Sequence, residues 1–327
     1  MRVASFFAGV GGIDLGFLQA GFDIVWANEF DEKASQTYRS NFSSTLLTED
    51  IRKVKASDIP DFDIMVGGFP CQAFSLAGKL LGFGDERGNL FFELERILKE
   101  KKPKAVFLEN VKNLISHDNG NTYRVIWSRL TEAGYFVKEQ VMNSCEYGNL
   151  PQNRDRIYIV AFRDRKAYER FYFPRPIPLT TKLSDCVNMI EPVKEKFYYR
   201  PETCPFYRTL ALGVRVSGTL YQWRRHYVRQ NQRGLCPTLT ANMGTGGHNV
   251  PIVKTKFGIR KLTPRECFNF MGYPKDYKLP DLNSSSLYKQ AGNSVTVPVI
   301  KRIAEAIKSA IEEDEPRIER YQQLQLF

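Results

Sequence analysis

The stretch Val3-Ala4-Ser5-Phe6-Phe7-Ala8-Gly9-Val10-Gly11-Gly12 decides the fold, because an apolar run of strand length breaks directly into a glycine turn. An amphipathic helix is expected next from Ile13, Leu15, Phe17 and Leu18, closed by Gly21. Ile24-Val25-Trp26-Ala27 reads as a second strand ending at Asn28-Glu29. Further strand runs at 63–67, 105–108 and 157–162 alternate with helical patterns near 89–99 and 122–133. Such alternation predicts an α/β fold with a parallel sheet covered on both faces. The N-terminus superficially resembles a secretion signal, but Gly9, Gly11, Gly12 and Asp14 interrupt it, so a first core strand and a cytoplasmic location are expected. No run of about 18 apolar residues offers a membrane span.

In open parallel sheets, ligands sit at the carboxyl ends of the strands. Glycines there let a ligand approach the backbone, and the following helix offers unpaired N–H groups. Glu29 falls twenty residues after Gly9, where a carboxylate would grip ribose hydroxyls. The third glycine of the dinucleotide fingerprint would fall at Asp14, which counts against NAD and leaves room for another adenosyl cofactor. The third strand runs into Gly67-Gly68-Phe69-Pro70-Cys71-Gln72, a stiff turn carrying a thiol. The fourth ends in Glu109-Asn110-Val111, and Gln152-Asn153-Arg154-Asp155-Arg156 precedes the last. A thiol, a carboxylic acid and two guanidiniums beside an adenosyl pocket make a reaction site. None of the three histidines falls at a strand end, so a Cys–His nucleophile is not supported. The six cysteines form no C-x-x-C pair, which argues against both a disulfide framework and a structural metal site.

At 327 residues the chain has room for two domains, and its charge divides it in the same way. Residues 182–262 hold fourteen Lys/Arg against four Asp/Glu, so they carry +10 of the net +11. No acidic residue occurs from Thr203 to Arg265, while Arg224, Arg225, Arg229 and Arg233 accumulate among Tyr221, Trp223 and Tyr227. This is the composition of a surface facing a phosphate backbone, and it predicts nucleic-acid binding. The proline-rich run 173–178 reads as a linker just before the charge shift. Beyond it no clear periodicity returns until a helical stripe at 299–311, and no internal repeat is present.

Phe7-Ala8-Gly9-Val10-Gly11-Gly12, Pro70-Cys71-Gln72, Glu109-Asn110-Val111, the Gln-x-Arg-x-Arg of 152–156, Arg260-Lys261-Leu262-Thr263-Pro264-Arg265-Glu266 and Gly292-Asn293-Ser294-Val295 stand in one order and spacing. In these motifs the chain closely resembles the bacterial DNA (cytosine-5)-methyltransferases of type II restriction–modification systems, over nearly its whole length. The resemblance implies a Rossmann-like, doubly wound mixed sheet of the S-adenosylmethionine-dependent methyltransferase fold. An inserted, smaller target-recognition domain is implied with it. The catalytic domain would span 1–181 and be completed by 290–327, with recognition in 182–262 and a hinge at 263–289.

The implied reaction is sequence-specific methylation of cytosine C5 in duplex DNA, using S-adenosyl-L-methionine and leaving S-adenosyl-L-homocysteine, with no metal. The target base would be flipped out of the stack. The Cys71 thiolate would add to C6, Glu109 would serve N3 and the exocyclic amine, and Arg156 with Arg154 would contact the O2 edge or the nearby sugar–phosphate. Loss of the C5 proton and elimination of Cys71 would follow methyl transfer. The cofactor positions carried over are Phe7, Gly9, Gly11, Glu29, Phe30, Asp50, Ile51, Pro70, Leu90, Asn293 and Ser294. On the DNA side, the glycine-rich stretch 74–87, with Ser75 and Arg87, resembles a loop that closes over DNA. Thr238-Leu239 resembles the family's Thr-Leu pair, and Gly246 lies in a glycine run suited to close approach. Implied partners are double-stranded DNA and a companion restriction endonuclease acting without a stable complex, the enzyme itself being a monomer. Three other readings compete. A tRNA cytosine methyltransferase is disfavoured by so long a recognition segment, a non-catalytic DNA-binding regulator by Cys71, Glu109 and Arg156, and an NAD oxidoreductase by Asp14.

Overall fold

The computed structural model describes residues 1–69, 90–245 and 249–312. Seven strands form the larger sheet: β1 (Arg2–Phe6), β2 (Asp23–Asn28), β3 (Thr45–Leu47), β4 (Ile64–Gly67), β5 (Ala105–Val111), β6 (Phe136–Asn143) and β7 (Asp155–Phe162). Their spatial order is β3-β2-β1-β4-β5-β7-β6. The first five run parallel, whereas β7 pairs antiparallel with both β5 and β6. The sheet is therefore mixed, as the resemblance implies, and the parallel pairing expected from strand–helix alternation holds for its first five strands. Residues 144–154 between β6 and β7 hold only the short helix Ser144–Tyr147, too little for the crossover that a parallel neighbour requires.

Successive strand residues point to opposite faces, and each face finds its own helices. Val3, Ile64, Val66 and Phe107 pack with Ile13 and Phe17 of the Gly12–Gln19 helix, and with Ile300, Ile303 and Ile307 of the Val297–Glu312 helix. A Cβ at Gly16 would lie 2.6 Å from Ile300 Cβ, so these two helices touch backbone to side chain. The opposite face, from Ala4, Met65, Val106 and Leu108, is covered by the Leu90–Lys101 and Asn121–Glu132 helices through Leu94, Ile97, Ile126 and Leu130. The chain thus returns at its C-terminal end to cover β1. Strand order reverses between β1 and β4, and the crevice at such a reversal is where open α/β sheets bind ligands.

A second sheet, all antiparallel, has the order β11-β10-β8-β9, with β8 at Leu220–Arg224, β9 at Tyr227–Gln230, β10 at Ile252–Thr255 and β11 at Gly258–Lys261. It falls wholly within the basic segment. Leu220 and Val253 face one apolar cluster while their neighbours Tyr221 and Ile252 face another. Burial on both faces at these positions erases the period-two signature, which is why β8 and β10 escape a sequence reading. The first cluster also takes in Val10, Ala34, Leu239, Met271 and Tyr277, so the smaller sheet shares its core with the glycine-turn side of the larger one. Among the described residues no helix is long and apolar enough to cross a membrane.

Asp14, which occupies the place of a third fingerprint glycine, is fully buried beneath the turn. Its carboxylate accepts from Ser5 Oγ at 2.8 Å and from the Tyr38 hydroxyl at 2.7 Å. Burial pushes this carboxyl up to about 6. Because the folded value lies above the unfolded one, the group's stabilising contribution is complete at low pH and declines as pH rises through about 4 to 6. Between pH 4 and 7 the wild type is therefore expected to lose on the order of 3 kcal/mol relative to Asp14→Asn in chemical denaturation. A difference that stays constant with pH would contradict this.

Candidate active site

β1 delivers the chain into a turn held in the left-handed region at Phe7 (φ 53°), Gly9 (φ 57°) and Gly11 (φ 77°). Packing alone would require glycine at position 11, since a Cβ there would lie 2.2 Å from the Phe42 ring. Gly9 differs, because a Cβ there would meet nothing within 4 Å, so its open side is free for a ligand. Glu29 at the end of β2 braces the turn: Oε2 accepts the Gly9 N–H and Oε1 the Asp31 N–H, each at 2.7 Å. Burial raises the Glu29 carboxyl above the ordinary range. A carboxylate offers about four lone-pair sites, so acceptor capacity remains for hydroxyls.

The other described positions expected to hold a cofactor lie on the elements around this turn. Phe30, directly after Glu29, leaves 72% of its surface exposed, an unused aromatic face. Ile51 is buried in the cluster against which Phe7 and Leu90 pack half-buried, forming one apolar wall. Asp50 caps the turn Ile51–Lys53 and pairs with Arg52, whose hydrogen bond holds the carboxyl below its usual range. Ser294 Oγ is hydrogen-bonded to the Tyr273 hydroxyl at 2.6 Å and closely backs Gly12. Asn293 is exposed at the end of the Ser284–Asn293 helix.

Glu109 and Arg156 come together in the antiparallel ladder, where Val111 pairs with Arg156 and Glu109 with Tyr158. β5 ends in Glu109-Asn110-Val111 as expected, whereas Arg156, expected just before the last strand, is the second residue of β7. Arg156 Nε stands 3.1 Å from Glu109 Oε1. Glu109 is 8% exposed, and burial raises its carboxyl while Arg156 and then Arg154 pull it back. A Cβ at Gly68 would lie 3.5 Å from Glu109 Oε2, so the acid sits against the chain as it leaves β4. Asn110 Nδ2 donates to Phe69 O at 2.8 Å and fixes that same exit. Asn110 went unrecognised in the sequence because its partner lies 41 residues away. Pro70, Cys71, Ser75, Arg87 and Gly246 lie outside the described residues.

A cleft of about 540 Å³ opens beside the pair, bounded by Val111, Lys112, Asn153, Arg156 and, from the basic segment, Thr238. Thr238 Oγ1 donates to Asn153 O at 2.7 Å. Two expectations are corrected here. Arg154 does not reach the cleft, being 1% exposed and donating to the backbone carbonyls of Leu239 (2.8 Å), Gly292 (3.2 Å) and Ser294. Leu239 does not face outward, its side chain being 1% exposed in the shared core. Arg154 instead ties the basic segment and the C-terminal return to β7. Arg154→Met, which leaves three carbonyls without their donor, is expected to lower unfolding stability by about 3 kcal/mol or more. A loss of less than about 1 kcal/mol would show that water or neighbouring groups replace it. Arg224, Arg225, Arg229 and Arg233 are exposed, and none forms an ion pair among the described residues.

The family model for C-5 cytosine-specific DNA methylases matches residues 1–309. The chain is 58% identical over 309 residues to Type II methyltransferase M.Bsp6I of Bacillus sp. (strain RFL6), covering 94% of this chain and 98% of that one. It is 41% identical to Type II methyltransferase M.HhaI of Haemophilus parahaemolyticus, covering 95% of each. This protein belongs to the C-5 cytosine-specific DNA methylase family. Among solved structures, a mutant of Spodoptera frugiperda DNMT2 superposes with a TM-score of 0.74 at 22% identity, over 94% of this chain and 99% of that one. A putative DNA modification methyltransferase from an E. coli prophage gives 0.71 at 21% identity, over 96% and 100%. These two likenesses concern the fold, that of the S-adenosylmethionine-dependent methyltransferases.

Proposed function

We propose that this protein is the modification enzyme of a type II restriction–modification system and methylates cytosine C5 within a short duplex sequence. The observation that carries this reading is the buried Glu109–Arg156 pair at the exit of β4, of which Arg156 also lines a cleft bordered by Thr238 of the acid-free segment. A base inside a duplex cannot enter such a cleft, so the target cytosine is flipped out at a cost of a few kcal/mol, offset by contacts to the flanking DNA.

The residues around the β1 turn fit S-adenosyl-L-methionine. Gly9 leaves open space, Glu29 keeps acceptor capacity, Phe30 offers a ring face, and Phe7, Ile51 and Leu90 form an apolar wall. When bound, that cofactor supplies the methyl group that C5 takes. Cytosine C5 is a poor nucleophile until C6 is attacked, and Cys71, three residues beyond Gly68, is the thiol for that step. Glu109 is suited to hold a proton towards N3, since burial favours its neutral form. Arg156 stabilises charge on the O2 side as the adduct forms. Removal of the C5 proton and departure of Cys71 restore the aromatic ring. Arg154 has no place in this set and acts as a structural tie.

Expression in a host without cytosine methylation, followed by mapping of 5-methylcytosine, tests the reading. The expected result is methylation at one short recurring duplex sequence. Unmodified host DNA alongside soluble, cofactor-binding protein would overturn it.

A further inference from the structure

The β8–β9 hairpin has two unlike faces. Tyr221, Trp223 and Val228 turn inward, with Trp223 stacked on Phe206 at 4.4 Å between centroids and Val228 against Gly213. The ladder pairs Gln222 with Arg229 and Arg224 with Tyr227, so these four side chains share the outer face. On that face Gln222 Oε1 accepts from Arg224 Nη2 at 3.4 Å and also from Arg229 Nη2. Two guanidiniums thus converge on one neutral oxygen, in a segment with no carboxylate from Thr203 to Arg265. Exposed like charges gain nothing from meeting in this way unless an external group rich in acceptors completes the arrangement.

The chemistry of the cluster selects that group. A carboxamide oxygen has two lone pairs, and both are taken, so the cluster presents only N–H donors outward. In the major groove, guanine shows two acceptors, N7 and O6, and no donor. Adenine offers one acceptor, N7, beside an amino group that would meet the second donor head-on, cytosine presents an amino group, and thymine pairs a single acceptor with a methyl group. A two-stranded ribbon is also an element the major groove admits. We infer that Gln222, Arg224 and Arg229 read a guanine of the target sequence, with Gln222 aligning the two arginines.

This inference rests on the DNA-methylation reading, so its test separates binding from chemistry. Random duplexes are selected by binding to the wild type and to Arg229→Ala, and the selected pools are then offered labelled S-adenosyl-L-methionine. The wild-type pool is expected to show a fixed guanine whose preference falls by roughly 5- to 150-fold in Arg229→Ala, with cofactor affinity unchanged. Gln222→Leu should relax the same position, and it supplies a second variant should the first fail to fold. With the wild type alone, 7-deazaguanine at that position should weaken binding comparably, because N7 is lost. Inosine, which keeps N7 and O6, should bind nearly as guanine does. The assignment is overturned if the guanine preference survives both substitutions, or if inosine is as harmful as 7-deazaguanine. It is equally overturned if every sequence weakens alike while the log–log salt slope falls by about 0.9, the mark of a phosphate contact. A normal selected motif that accepts no label would count against the methylation reading and leave the guanine assignment standing.

Discussion

Cys71→Ala is expected to form no covalent adduct with duplex DNA carrying 5-fluorocytosine at the target, whereas the wild type should be trapped in a stable complex. Fluorine at C5 cannot leave as a proton does, so the ring cannot expel the thiolate once the methyl group is in place. The expectation follows from position: Cys71 comes directly after the β4 exit that Glu109 and Asn110 hold from the neighbouring strand. An ordinary thiol, with a pKa near ~8.5, is only a few per cent ionised at neutral pH, so the proposed attack calls for a nearby positive charge, which the sulfonium of a bound cofactor would supply. Methyl transfer by Cys71→Ala on unmodified DNA should fall by roughly four orders of magnitude or more, since no other group activates C5. Cofactor binding should be nearly unchanged. An adduct that persists in the variant would remove Cys71 from the reaction.

Glu109→Gln keeps the shape of the side chain and loses its proton. Single-turnover methyl transfer is expected to slow by about 10²- to 10⁴-fold, the range for losing a positioned general acid. Affinity for S-adenosyl-L-methionine should change little, because Glu29 and the β1 turn, rather than Glu109, carry the cofactor features. Arg156 would lose its ion-pair partner in a site where it is 13% exposed, so stability must be measured beside the rate. The raised carboxyl also sets a direction for pH. On the proposed mechanism the proton-bearing form acts, so the rate should fall on the alkaline side through the loss of the Glu109 proton, and this limb should vanish in Glu109→Gln. A rate that matches the wild type would end the assignment.

Much of the larger sheet is legible in the chain because its strands are short apolar runs separated by amphipathic helices, each with a local signature. Glu29 and the glycine turn declare themselves by spacing, and the structure joins them through the Gly9 N–H. What escapes is set by partners distant in sequence. Arg156 looks like a residue that precedes its strand until antiparallel pairing with Val111 of β5 draws it into β7. Gln-x-Arg-x-Arg does not reveal that its first arginine faces Leu239 and Gly292 while its second faces Glu109. Strand alternation separates such residues, but only the docked basic segment decides which side each one faces. Two strands of the smaller sheet, β8 and β10, are hidden for a related reason, since Leu220–Tyr221 and Ile252–Val253 are buried on both sides. β6 is hidden by the opposite cause: as an edge strand it keeps Lys138, Glu139 and Gln140 among its apolar residues.

The most direct measurement of the central claim is transfer of a labelled methyl group from S-adenosyl-L-methionine by the purified protein. Duplex DNA and tRNA are compared side by side, and the labelled product is identified by nucleoside analysis. The account predicts label in duplex DNA as 5-methylcytosine, dependent on Cys71 and Glu109, with none in tRNA. Label recovered in tRNA, or in DNA on any atom other than cytosine C5, would contradict it.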